Sequence, residues 1–186
     1  KDITDAAKLV EATLRGVSQT VINAFIAGKI NDINVVTGLI AAAVTASVRA
    51  IINSSIKNII DKGALVEATL RGAVLPAIQA MNKIGVEAVK KIVTAAVGAS
   101  IDQILIAVGK GLLNPTDAAK LVEFTARGVS SAVVQALSEN NINSTQARQV
   151  LNASVVAALD KILAAPSSLL SVQTKAMMTA SVISGS

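Results

Sequence analysis

A chain of 186 residues is long enough for one domain with a full core; 52% of its residues are apolar, yet only Phe25 and Phe124 are aromatic. His, Cys, Trp and Tyr are missing, which excludes a disulfide framework, a thiolate nucleophile, an imidazole base and an ordinary zinc site. The formal charge of +5, from 17 basic and 12 acidic residues, bears on solubility rather than fold, and with Lys90-Lys91 as its one basic pair the chain lacks both the charge cluster and the aromatic platform of a nucleic-acid surface.

From Asp5 to Ala27 the apolar residues Val10, Leu14, Val17, Val21 and Phe25 fall three and four apart, which predicts a helix with one apolar face. Thr4 or Asp5 is the expected cap and Gly28 the expected stop. A second helix, capped by Asn31, Asp32 or Asn34, is expected to run to about Asn53. Its apolar face carries Val36, Ile40, Val44, Val48 and Ile51, and Ala42, Ala46 and Ala50 form a row of small residues beside it. After the polar link Asn53-Ser54-Ser55, a third helix is predicted from about Asp61 to Met81. Pro76 inside it lacks the amide that would bond to Gly72, so a kink is expected there, an interior proline costing about 3 kcal/mol in a straight helix.

A fourth helix is predicted from Val86 to about Val108, ended by Gly109 or Gly111. Asn114-Pro115-Thr116-Asp117 is a strong start signal for a fifth, running to about Ser138. Residues 139–143 read as a loop, and Asn143 or Ser144 caps a sixth helix that stops before Pro166. The tail from Ser167 to Ser186 reads as a degenerate further helix that caps the array, with a partly disordered end as the rival.

One stretch organises this series. Leu9-Val10-Glu11-Ala12-Thr13-Leu14-Arg15-Gly16 returns 56 residues later at 65–72 and again, with Phe124 and Ala126 substituted, at 121–128. The chain is a threefold tandem repeat. The second helices, aligned on Ala42-Ala43-Val44, Ala95-Ala96-Val97 and Ala153-Ser154-Val155, are spaced 53 and 58 instead. The first helices therefore set the stacking and the loops absorb the difference, since closure entropy changes slowly with loop length.

Within the repeat, Glu11 and Arg15, Glu67 and Arg71, and Glu123 and Arg127 are each four apart, the favourable orientation for a helical ion pair worth a few tenths of a kcal/mol. The simplest reading is a solvated pair at the edge of the core; the sharper one is a charge ladder linking adjacent repeats or molecules. Gly16, Gly72 and Gly128 each cost about 1 kcal/mol inside a helix. Three at one repeat position imply a shared need, and on the helical wheel Gly16 joins Ala12, Thr13 and Thr20 in a small-residue face where a backbone can approach. Helices packing on two faces belong in stacks or multi-helix bundles.

The expected fold is all-α: three tandem hairpins of about 56 residues (repeats near 4–59, 60–115 and 116–166, with 167–186 as tail helix or degenerate fourth copy) in a single domain. A compact bundle is favoured over a short α-solenoid, because the second helices are apolar almost all round. The longest charge-free stretch, Ile33 to Val48, is 16 residues and carries several polar ones, short of the roughly 20 apolar residues of a spanning helix. No transmembrane segment is expected.

No cofactor, metal site or catalytic residue is read from the chain. Met81, Met177 and Met178 read as gap-fillers, and Gly109-Lys110-Gly111 lacks the pattern of a phosphate loop. The leading functional expectation is a non-enzymatic structural module that self-associates. A carrier of an apolar small molecule or lipid and a surface-active, peripheral membrane protein are the alternatives. The chain opens on Lys1 without a secretory signal and stops early in a fourth copy, which reads as a processed product or a piece of a longer array. An extracellular or cell-surface location is expected, and the Asn-x-Ser/Thr triplets at Asn53, Asn143 and Asn152 carry little weight.

Overall fold

Stacked first helices form the spine of the molecule. The computed structural model describes residues 2–186 as eight helices: α1 (Ile3–Ile26), α2 (Ile33–Asn53), α3 (Ile59–Gln79), the single turn α4 (Met81–Ile84), α5 (Val86–Gly109), α6 (Pro115–Ser138), α7 (Ser144–Ala164) and α8 (Val172–Gly185), with no strand among the described residues. Ile3, Ile59 and Pro115 open α1, α3 and α6 at intervals of 56, while Ile33, Val86 and Ser144 open α2, α5 and α7 at intervals of 53 and 58. These intervals match those of the sequence repeat.

Local chemistry sets the boundaries. Short polar side chains in extended backbone receive the first free amides: Asp2 for α1, Asp32 for α2, Asn58 for α3, Asn114 for α6, Asn143 for α7 and Ser171 for α8. At α7 the cap is reciprocal, Gln146 returning a bond to the Asn143 amide at 2.9 Å. α1 and α3 begin two residues ahead of the predicted starts because Asp2 and Asn58 capture the amides of Thr4 and Ile60. Gly28 ends α1 at φ +70°, and Asn140 ends α6 in the same left-handed conformation at φ 58°. The second copy departs from this ending. α3 runs through Pro76 and is interrupted at Ala80, whose amide bonds to Pro76 O at 3.0 Å, before α4 adds one more turn. The break thus falls one turn beyond the proline rather than on it.

The helices pack as a compact bundle, and within it the contacts fall into two rows. α1 lies on α3, α3 on α6 and α6 on α8; beside them α2 lies on α5 and α5 on α7. Each second helix also touches the first helix that follows it, α2 with α3, α5 with α6 and α7 with α8. The tail therefore folds as a helix in the seat of a fourth first helix. Position in the row decides burial. α3 and α6 have neighbours on both sides and bury nearly every residue from Leu65 to Ile78 and from Ala118 to Val129, apart from the charged edge. α1, with a neighbour on one side, fully buries only Leu14, Ser18 and Ile22. Aliphatic side chains such as Ile40, Leu70, Leu75, Ile92, Ile101 and Leu121 are fully buried in one core, each contributing about 1.5–3 kcal/mol by leaving water.

Two helices meet the length and hydropathy of a membrane span. They are α2, with mean hydropathy 2.0, and α5, with 1.8. Arg49 is the one charge in α2. In the fold these apolar surfaces have protein neighbours. α5 lies between α2 and α7 and against α3 and α6, while α2, first in its row, leaves Val35 and Leu39 about half exposed.

Candidate assembly interface

The repeated stretch forms the seam between successive first helices. Gly72 of α3 faces the backbone of α1, and a Cβ built there would collide with the carbonyl oxygen of Glu11. Gly128 of α6 faces α3 in the same way, its Cβ overlapping Glu67 O and lying 2.7 Å from the Leu70 Cβ. The small-residue face expected on these helices is thus a place where two backbones approach more closely than a methyl group allows, gaining dispersion contacts along their length.

The seam recurs a third time where no repeat motif was read. Gly185 of α8 sits over Glu123 O of α6, with the Ala126 Cβ 2.9 Å from where its own Cβ would be. It follows Gly128 by 57 residues, one more than the repeat interval, so an alignment held at 56 passes it by.

Charged residues border the seam. The within-helix pairing expected in all three copies forms, among the described residues, in α1 alone, where Arg15 bonds Glu11. In the later copies the arginine reaches back to the preceding glutamate instead: Arg71 Nε lies 3.7 Å from Glu11 Oε1, and Arg127 Nε lies 3.4 Å from Glu67 Oε2. Arg71 also donates to Gln135 Oε1 on α6 at 2.7 Å. The Arg127 guanidinium lies 4.9 Å from the centre of the Phe124 ring, a cation–π contact. Glu123, whose next-copy arginine is replaced by Ser184, is held by Lys120 at 2.8 Å. With side chains a third to a half exposed on the basic partner, each pair contributes about 0–1 kcal/mol. They fix register more than they add stability.

A hydroxyl couple, unread in the sequence, links α2 to α3 and α5 to α6. Ser47 of α2 and Thr69 of α3 are 2.8 Å apart, as are Ser100 of α5 and Thr125 of α6. Each threonine also donates to the carbonyl four residues back, Leu65 or Leu121. The serine hydrogen is thereby directed at the threonine oxygen, so Ser100 and Thr125 are buried with their bonds made. Thr69 and Thr125 share a repeat position, and Ser47 and Ser100 are 53 apart, the interval of their helices; that coincidence was the available signal.

Phe124 follows from local compensation. It stands where the other copies have Ala12 and Ala68, and its ring fills the space over Gly63, which itself stands where the other copies have Ala7 and Ala119.

At α1 the same face is open. Leu9 is 69% exposed, whereas Leu65 and Leu121 are 6% and 0% exposed. Ala12, Thr13, Gly16 and Thr20 are exposed where their counterparts are buried, and a Cβ on Gly16 would meet nothing within 4 Å. Lys8, Glu11, Ala12, Arg15, Gly16 and Gln19 line a groove of about 490 Å³ there. Among the described residues neither Arg15 Nε nor Arg71 Nε has a hydrogen-bond partner, but Arg71 Nε lies within ion-pair distance of the glutamate of the preceding copy and Arg15 has no preceding copy to face. No family model, curated protein or solved structure matches this chain.

Proposed function

We propose that the protein is a non-enzymatic structural repeat module that self-associates, a building block of an oligomer, filament or matrix. The observation that carries this reading is the open α1 face. It presents the residues that α3 and α6 bury against a preceding helix, with Gly16 uncovered and Arg15 turned back on its own Glu11. Exposed apolar residues beside a face that is buried in the other copies support an interaction surface. α1 keeps Leu9 and Val17 exposed, and α2 beside it keeps Val35 and Leu39. Sedimentation velocity over a wide concentration range tests the proposal. Discrete species larger than one chain are expected, and a single monomeric species at every concentration would count against it.

A further inference from the structure

We propose that the partner of the open α1–α2 end is the α6–α7 end of a second copy of this chain, and that α8 occupies that seat until the second copy displaces it. The inference rests on the self-association reading above and specifies its geometry.

Each internal seam joins a glutamate edge to a glycine face. The glutamate edges of α1 and α3 are covered by α3 and α6, full repeats that supply the glycine, the arginine and the threonine. The glutamate edge of α6 is covered by α8, which supplies only the glycine. Counted from Gly185, the arginine position holds Ser184 and the threonine position holds Val182. Glu123 is consequently paired within its own helix, and the serine of the couple is missing from α7 as well, since the 58-residue interval from Ser100 falls on Ala158. α8 has 14 residues against the 24 of α1 and α6, and it follows the irregular segment 165–171. In the second row the described residues give α7 one neighbour, α5.

The α1–α2 hairpin of a second copy supplies what α8 lacks. Laid on α6 as α6 lies on α3, it puts Gly16 over Glu123 O and Arg15 beside the Glu123 carboxylate. α2 then continues the second row on α7, covering the exposed Val35 and Leu39. The α8 end itself is a poorer partner for α1, since Ala180 stands at its glutamate position. The contact is head-to-tail and heterologous, so repetition gives open chains or closed rings according to its rotation.

Point variants of the full chain test this by sedimentation velocity, with hydrogen exchange over 172–185 reporting whether α8 is seated. Gly16→Leu meets open space in the single chain but blocks the seam; it is expected to abolish association while circular dichroism stays unchanged. Gly185→Leu collides with Glu123 O and unseats α8, as does Met178→Asp, which buries a carboxyl where Met178 is fully enclosed. Each is expected to expose the α6 edge and tighten association at least tenfold, about 1.4 kcal/mol. Gly16→Leu added to either is expected to return the chain to monomer. Association indifferent to Gly16→Leu, or unchanged when exchange shows α8 released, overturns the proposed seat while leaving self-association standing. A monomer in the wild type and in both unseated variants overturns both.

Discussion

Alanine at Gly16 and at Gly128 separates the two environments of one repeat position. In a helix interior Gly→Ala is intrinsically stabilising by about 1 kcal/mol. At Gly16 nothing lies within 4 Å of the new methyl group, so Gly16→Ala should realise most of that gain. At Gly128 the methyl group overlaps the Glu67 carbonyl oxygen and lies 2.7 Å from the Leu70 Cβ. Backbone cannot swing aside as a side-chain tip can, and overpacking of this kind costs about 1–3 kcal/mol. Less the helix gain, Gly128→Ala should destabilise by up to about 2 kcal/mol, leaving the two variants about 1–3 kcal/mol apart with opposite signs. For a chain of this size that is a difference of several degrees in melting temperature, about 2–4 °C per kcal/mol. Thermal and urea unfolding followed by circular dichroism, at a concentration where the chain is monomeric, reads both. Equal shifts of the same sign would refute the claim that the repeat glycine exists for close approach.

Thr125→Val should cost about 1–2 kcal/mol, because it leaves the buried Ser100 hydroxyl without its partner, whereas Thr13→Val on the open face should be nearly neutral in urea unfolding. Gly63→Ala should destabilise by pushing a methyl group into the Phe124 ring, and should do so much less in a Phe124→Ala background. A double-mutant cycle with no coupling would mean that the two residues do not share the space. The Glu139 carboxyl is held below its usual 4.5 by hydrogen bonds from Gln135, then Gln79, which tie the ends of α6 and α3 together. A depressed acid stabilises the fold above its unfolded value and loses that contribution as the pH falls through its folded value. The urea midpoint should therefore drop on acidification below about pH 4.5, and Glu139→Gln should flatten that drop.

Much of the helical plan was legible because its signals are local. Asn114-Pro115 placed the start of α6 to the residue, Gly28 placed the end of α1, and the 56-residue interval carried over to the helix starts. Boundaries slipped where two caps competed, as at Asp2 against Thr4 and Asp5, because choosing between them depends on the backbone leading in. The glycine face was legible as a place for close approach, since no local preference favours three interior glycines. Its partner was not, because which carbonyl lies over Gly72 depends on how α1 and α3 stack. For the same reason helical spacing favoured pairing Arg71 with Glu67, while the fold brings Arg71 to Glu11. The row seating of α8 was hidden by a one-residue shift in interval. The apolar character of α2 and α5 reads equally as core or span, and composition alone does not distinguish them.

The most direct test adds the neighbour that α1 lacks. A copy of residues 59–114 placed directly ahead of Ile3 puts a full hairpin before α1 at the native interval, so that its glutamate edge faces Gly16. The measurement is the effect of Gly16→Ala on the unfolding free energy of this longer chain. The account predicts a reversal, from stabilising in the parent protein to destabilising in the extended one. A substitution that stays stabilising in both would contradict it.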